Sequence, residues 1–537
     1  MTALAEHSLA QATVPAVPRS GSLLSRSFVI LIGFAVVNAT LFMVIRPGVN
    51  DLWAARARAS AAAHGVGLTY WFAWFGGGST PGNYSVLTPY LSAVLSAEFV
   101  GALAAVSITV LARVAVRGTP HPVAATAVAA LAAGINLWSG RVPFLLGSAI
   151  AIGSLIAVRN HRRVIAAALT MLCILASPVS AAFLALGLAG TLVVSPKYRI
   201  ISATTVGTVV AGFGLVALVF GTPGPQHFSW TLCIESIVAL GLFLLARPPD
   251  YLRVVIWLSM FTSLAIAVVP NGLGSNFSRM IWFCLPVAVV ATFGRRLWMA
   301  LLVVGPVLIS GANLTVADLR DASDPVAGSA YYQPLVQELD RIDGLNNFRL
   351  EVVAEGAHAA YDALLDHAML ARGWETQEDN ALNATLLNRS LSATSYKVWL
   401  DNNSVGFVAL PKKVDTFPEY ALVAAGRLAY LHEVWSSSQW VLYRVDDPTP
   451  IVAAPQTMLD YSQSKLTIRS TCTCTFSVRV RFSKYLRADL LVAAGGTAHG
   501  TAQNAAKLTD DGYGFTSMST PSPGDYVLHG TVAQLFH

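Results

Sequence analysis

The sequence predicts a polytopic α-helical membrane domain followed by an α+β region and a C-terminal β-sandwich, and three observations carry that reading. Of 537 residues, 54% are hydrophobic and only 12% charged, whereas soluble domains are roughly a quarter charged. Residues 1–314 hold 18 Lys and Arg against five carboxylates (Glu6, Asp51, Glu98, Glu235 and Asp250), a balance of +13, while residues 315–537 hold 17 against 24, a balance of −7. Apolar runs near the length that crosses a bilayer fill the first part, and alternating strand patterns mark the second.

Residues 1–27, rich in Ala, Pro and Ser, read as a disordered cytoplasmic tail. The transmembrane domain, 28–314, contains about eleven apolar runs, near 28–45, 93–112, 121–138, 142–158, 164–177, 179–195, 200–220, 228–246, 252–269, 280–294 and 297–314. Only Ser177-Pro178 separates the fifth from the sixth, so these read as a tight hairpin or as one span, and merging them would reverse the side on which the chain ends. Short cytoplasmic loops carry the excess of Lys and Arg. With the N-terminus inside, the inner loops hold Arg113, Arg117, Arg159, Arg162, Arg163, Lys197, Arg199, Arg247, Arg253, Arg295 and Arg296, and the outer loops only Arg46, Arg56, Arg58, Arg141 and Arg279. This predicts a multi-pass protein of the cytoplasmic cell membrane with its C-terminal half outside. The run at 28–45 lacks a small-residue cleavage pattern before Arg46-Pro47 and reads as an uncleaved first span.

Beyond 315 the pattern changes. An α+β domain is expected over 315–435, with helices at Tyr332–Ile342 and Tyr361–Arg372 and strands at Phe348–Val353 and Gly406–Leu410. A β-sandwich is expected over 436–537, its strands including Trp440–Val445, Phe476–Phe482 and Tyr526–His529. Cys173, Cys233 and Cys284 fall in apolar spans and read as small hydrophobes. Cys472 and Cys474 lie in the outer half, where disulfides persist; a bridge between residues two apart is strained, and no Cys/His cluster suggests a metal.

The connection at 46–92 is the longest of the membrane half, and loops of that length are usually functional. It opens with Arg46-Pro-Gly-Val-Asn-Asp51, continues through an Ala-rich helix and reaches Tyr70-Trp71-Phe-Ala-Trp74-Phe beside three glycines. Aromatics in that setting suit a membrane-surface ledge, with Trp71 and Trp74 as acceptor contacts, or a plain aromatic belt. Asp51 is a scarce acid at the outer surface. It reads either as a general base taking a proton from a sugar hydroxyl or as the cap of the helix that follows. Glu98 is a second acid there, or a paired surface charge. Glu235, about seven residues into its span, is costly unless paired, protonated or facing a cavity, and a transporter would use it. Arg279 and Arg141 are single bases in their outer loops, suited to bidentate phosphate binding or to anchoring at lipid headgroups, and His227 is a third candidate for the phosphate.

Neither a P-loop, a dinucleotide fingerprint nor His-Glu-x-x-His occurs, which argues against a nucleotide-driven machine. The basic balance belongs to membrane loops and does not imply nucleic acid. With an acid just after the first span, a large first outer loop, many spans and an outer C-terminal region, the chain resembles the GT-C superfamily of integral-membrane glycosyltransferases. Ala371-Arg-Gly-Trp-Glu-Thr-Gln377, Tyr396-Lys-Val-Trp-Leu-Asp401 and Val405-Gly-Phe-Val-Ala-Leu-Pro411 are similar to stretches of the YfhO-like polysaccharide-synthesis group, and the Ala, Val, Gly and Arg bias resembles actinobacterial members. The resemblance implies an inverting transferase using a polyprenyl-phosphate sugar as donor and a cell-wall or envelope glycan or lipid as acceptor, with Asp51 as base. Asp51 stands outside any paired-acid motif, which implies the metal-independent branch without a cofactor. Arg372, Trp374 and Gln377 would then shape an acceptor site. A secondary transporter, or a non-catalytic assembly protein in which Asp51 is dispensable, are the competing readings; no internal repeat of the transporter kind is visible.

Overall fold

The computed structural model describes residues 25–222, 224–294, 297–353, 356, 358–493 and 505–531. The expected disordered tail lies almost wholly outside them, as do Arg295 and Arg296. The described chain opens with helices α1 (Arg26–Ile45), α2 (Asn50–Ala63), α3 (Thr88–Leu95), α4 (Ala97–Ala115), α5 (Pro122–Trp138), α6 (Val142–Arg159), α7 (Arg163–Ala176), α8 (Pro178–Val194), α9 (Arg199–Phe220), α10 (Trp230–Leu245), α11 (Asp250–Val268), α12 (Leu285–Thr292) and α13 (Leu297–Asp321). Seven stretches are long and apolar enough to cross a membrane by length and composition: α1, α4, α6, α9, α11, the run 274–292 that ends in α12, and α13. Shorter apolar helices α5, α7, α8 and α10 complete the bundle. Helices α7 and α8 are separate: Ser177 accepts a hydrogen bond from the Ser180 N–H, and Pro178 opens the second helix, where its missing N–H is harmless.

The run 274–292 is irregular for a local reason. Pro286 has no N–H for the carbonyl four residues back, and the preceding Met280–Cys284 widens into a π-helical turn immediately after Arg279.

Beyond α13 lies a four-stranded mixed sheet in the order β1 (Arg349–Val352), β2 (Val405–Pro411), β4 (Trp440–Val445), β3 (Leu431–Ser436), with β1 and β2 parallel. Two further antiparallel sheets form the sandwich: β7 (Thr475–Arg481), β10 (Phe515–Ser519) and β9 (Lys507–Asp510) in one, and β5 (Thr457–Ser462), β6 (Lys465–Ser470), β11 (Gly524–Gly530) and β8 (Leu486–Ala493) in the other. The expected boundary at 436 is therefore misplaced. Trp440–Val445 pairs with β2 and buries Trp440 and Leu442 in the α+β core, so the sandwich strands begin only at β5. The helix expected at Tyr361–Arg372 is also corrected. Only Ala360–Ala363 is helical, and Leu370 then bridges to Leu350 of β1, with Leu350 N–H donating to the Met369 carbonyl at 2.8 Å and Ala371 N–H to the Leu350 carbonyl at 3.0 Å. Tertiary pairing at a sheet edge overrides the local helical pattern.

The segment 70–75 joins the two C-terminal units. Tyr70 and Phe72 enter the sandwich core, whereas Trp71, Ala73, Trp74 and Phe75 enter the α+β core. The Leu370 N–H donates to the Ala73 carbonyl at 2.9 Å, and Arg349 donates to the Gly76 carbonyl at 3.0 Å. Residues 46–92 are thus a wedge that seats both units on one end of the helical bundle. Cys472 and Cys474 are disulfide-bonded within the sandwich.

Candidate functional site

At the end of the bundle facing the C-terminal units, three residues distant in sequence converge. Asp51 is the second residue of α2, Arg141 immediately precedes α6, and Arg279 precedes the π-helical turn. Asp51 Oδ2 lies 3.5 Å from Arg141 Nε and 3.4 Å from Arg279 Nη2, with side chains 23%, 10% and 18% exposed. Asp51 is not the helix cap: the N-cap of α2 is Val49, and the Asp51 carboxylate faces the two guanidinium groups. Gly140, at φ +73°, makes the turn that brings Arg141 against the start of α2.

Two further residues, unremarked in the sequence, complete the cluster. Asp318, near the end of α13, lies 3.9 Å from Arg141 Nη2, and Asn136 Oδ1 accepts from Arg141 Nη1 at 3.2 Å. Asp318 falls four residues past the span boundary drawn at 314, where it passes for one of the many acids of the C-terminal half. Burial, and then the neighbouring Arg279, pull Arg141 down to about 10, which leaves it cationic at neutral pH. Its buried Nε has no hydrogen-bond partner among the described residues.

Beside this cluster the bundle holds a partly open cavity of about 380 Å³. Asn136, Phe144 and Met280 line its upper end, and Val116, Thr191 and Tyr251 its far end, with Ala and Leu side chains of α4, α5, α6 and α8 between. The Arg279 guanidinium sits 5.4 Å from the Phe144 ring. The result is an apolar cavity, of a size that holds small molecules or part of a lipid chain, whose lining residues Asn136 and Phe144 adjoin Arg141 and Arg279.

The remaining candidates lie elsewhere. Glu98 is an ion-pair partner, bonded to Arg56 Nη2 at 2.8 Å, while Arg56 stacks 4.6 Å over Trp53. His227 is exposed on the α9–α10 connection and bonds to none of the cluster. Glu235 is exposed on the outer face of α10 beside Ile234 and Val238, and is not part of the cavity wall. The acceptor ledge expected at Trp71 and Trp74 is corrected: both are buried, Trp71 donating to Gln463 Oε1 at 3.3 Å and Trp74 to the Tyr361 carbonyl at 3.0 Å. Arg372 is likewise structural. It is buried against Asp379 at 2.6 Å, Glu419 at 3.1 Å and Glu351 at 3.7 Å. Gln377 donates to Gln226 Oε1 at 3.2 Å, tying the α+β unit to the α9–α10 connection. Trp374 is half-buried, its indole N–H unpartnered among the described residues.

Between Asp51 and Trp374 runs a second polar chain that the sequence did not mark. Arg58 of α2 is buried in an ion pair with Glu375, and its guanidinium lies 4.0 Å from the Tyr84 ring. Glu378 follows, hydrogen-bonded from Ser79 at 3.0 Å; burial and the adjacent Glu375 charge push it up to about 8.

No family model matches the chain, and no curated protein matches it. Among solved structures it is similar to the oligosaccharyltransferase of Archaeoglobus fulgidus in its apo form, at 12% identity over 79% of this chain and 75% of that one, with a TM-score of 0.41. A superposition at that level does not establish a shared fold.

The chemistry open to the site follows from its own residues. Two guanidinium groups around one acid can exchange that acid for a phosphate, and an acid so released can take a proton.

Proposed function

We propose that this protein is a membrane glycosyltransferase of the GT-C kind, which moves a sugar from a polyprenyl-phosphate donor to a glycan or lipid acceptor on the extracytoplasmic face of the cell membrane. The observation that supports it is the cluster of Arg141, Arg279 and Asp51 beside an apolar cavity between the helices, whose lining residues Asn136 and Phe144 contact the two arginines. The cavity suits the proximal part of an isoprenoid chain, and the arginines suit its phosphate. In this reading the phosphate takes the guanidinium donors that now face Asp51 Oδ2. Asp51 then accepts the proton of the acceptor hydroxyl, whose oxygen attacks the anomeric carbon; the bond from that carbon to the phosphate oxygen breaks, and its electron pair leaves with the lipid phosphate. Attack opposite the leaving group inverts the anomeric centre. Positive charge pre-set at a leaving oxygen is among the larger catalytic terms, so the proposal needs neither metal nor cofactor. Asp318 and Asn136 hold Arg141 in place. A carrier would need Glu235 on the substrate path, and it lies on the bundle's outer face.

The test is envelope glycan linkage analysis in a deletion strain complemented at equal membrane abundance. Wild type should restore a linkage that is missing in the deletion, and Asp51→Asn or Arg279→Gln should not. Full restoration by Asp51→Asn would remove the base from the mechanism and favour a non-catalytic assembly role.

A further inference from the structure

The sandwich carries a second cationic site, remote from Asp51. Ala488 of β8 and Ala506 form an antiparallel bridge, with Ala506 N–H donating to the Ala488 carbonyl at 2.9 Å, and both alanines face the sandwich core. In an antiparallel pair the flanking residues Arg487 and Lys507 then stand opposite one another on the other face. Like charges directly opposed across strands are destabilising. They line, with Lys484 and Ser483, a cavity of about 260 Å³. Asp489, one pleat along β8 from Arg487, is engaged with His529 Nε2 at 2.8 Å. Among the described residues none of the three cations forms an ion pair with a carboxylate. An anion between them would turn a repulsive arrangement into an attractive one.

The position of this pocket indicates which anion. Tyr485 lies between Lys484 and β8, and its hydroxyl donates to the Val219 carbonyl in the last turn of α9. Leu215 and Leu218 in the same stretch are 54% and 75% exposed, the apolar surface a helix turns to lipid. Tyr485 therefore sits at the edge of the hydrocarbon, the depth tyrosine favours. Lys484 Nζ is 5.0 Å from the Tyr485 ring, and the Thr531 N–H donates to the Tyr485 carbonyl at 2.8 Å, which fixes this loop to the sandwich. Lys484, next to Tyr485 in sequence, and the Arg487 and Lys507 pair that lines the same cavity therefore adjoin that edge.

We propose that Lys484, Arg487 and Lys507 form a phosphate-binding pocket that takes the headgroup of an anionic bilayer lipid and so docks the sandwich on the membrane surface. The site depends only on the helices lying in a bilayer, and it stands whether or not Asp51 transfers a sugar.

The experiment is thermal melting of the purified full-length protein in nanodiscs of pure phosphatidylcholine and in nanodiscs containing phosphatidylglycerol, with native mass spectrometry of retained lipid. Phosphatidylglycerol should raise the melting temperature of the wild type, and the triple variant Lys484→Gln, Arg487→Gln, Lys507→Gln should lose that rise and the retained lipid. In pure phosphatidylcholine the triple variant should melt close to wild type, because relief of the opposed Arg487 and Lys507 charges offsets the lost contact of Lys484 with the Tyr485 ring. The charge-conserving set Lys484→Arg, Arg487→Lys, Lys507→Arg should keep the rise. Inorganic phosphate in detergent, against chloride at equal ionic strength, separates the sources: protection equal to that of phosphatidylglycerol assigns a soluble phosphate-bearing ligand, and protection by phosphatidylglycerol alone assigns the headgroup. A triple variant that keeps the full phosphatidylglycerol rise overturns the proposal.

Discussion

Gly140→Ala perturbs the candidate site without touching any of its charged groups. Gly140 has φ +73°, and a Cβ there would meet the Leu52 backbone N at 2.5 Å and the Leu52 Cβ at 2.6 Å. Ordinary contact begins at 3.4 Å, so the turn and α2 must separate by about 0.9 Å, the difference between 3.4 and 2.5 Å. Leu52 follows Asp51 and Gly140 precedes Arg141, so the displacement falls on a pair now 3.5 Å apart. In reactions governed by positioning, a misplacement of ~1 Å costs on the order of 10²-fold in rate, while the left-handed backbone adds about 1–2 kcal/mol of strain for a residue with a Cβ. Sugar transfer in membranes matched for protein abundance should therefore fall about a hundredfold, with a modest drop in melting temperature. Gly65→Ala is the control, since Gly65 has φ +76° with nothing within 4 Å of its Cβ. It should destabilise through backbone strain and leave transfer intact. If Gly140→Ala transfers within twofold of wild type, the rate does not depend on the spacing of Asp51 and Arg141, and the proposed mechanism fails.

Gly187 lines the cavity with nothing within 4 Å of its Cβ. Gly187→Leu should hold or raise stability through helix propensity worth up to about 1 kcal/mol while raising the KM for the lipid donor several-fold; an unchanged KM would move the chain-binding path elsewhere. Arg372→Met leaves Asp379, Glu419 and Glu351 buried without their cation, a loss of about 3–5 kcal/mol, and should abolish accumulation of folded protein in membranes, whereas wild-type proteolytic resistance would contradict the network. Glu378, pushed up to about 8 from 4.5, is favoured in its protonated form by the fold. Its contribution to stability is complete below about 4.5 and is lost as pH rises through about 8. The melting temperature should accordingly decline between those values, and Glu378→Gln should flatten the decline; an unaltered pH profile in the variant would assign the proton elsewhere.

The sequence alone determined the class of the molecule, because apolar runs bounded by charge leave few alternatives to helices in a bilayer and period-two patterns leave few to strands. It also singled out Asp51, Arg141 and Arg279, since lone charges in apolar stretches are conspicuous. Their convergence was decided by tertiary structure: the residues are up to 228 positions apart, and only the packing of α2, α5 and α6 with the turn after Arg279 brings them together. Asp318 was hidden because its significance lies in its position at the end of α13, whereas its composition matches the acidic half that follows. The aromatic segment 70–75 was misread for a related reason. A Trp that binds a sugar face and a Trp that fills a core have the same sequence signature, and only the alternation of its side chains between two hydrophobic cores shows which it is. Arg372 repeats the lesson, since a guanidinium that bonds sugar hydroxyls and one that neutralises three buried carboxylates differ only in what the fold brings beside them.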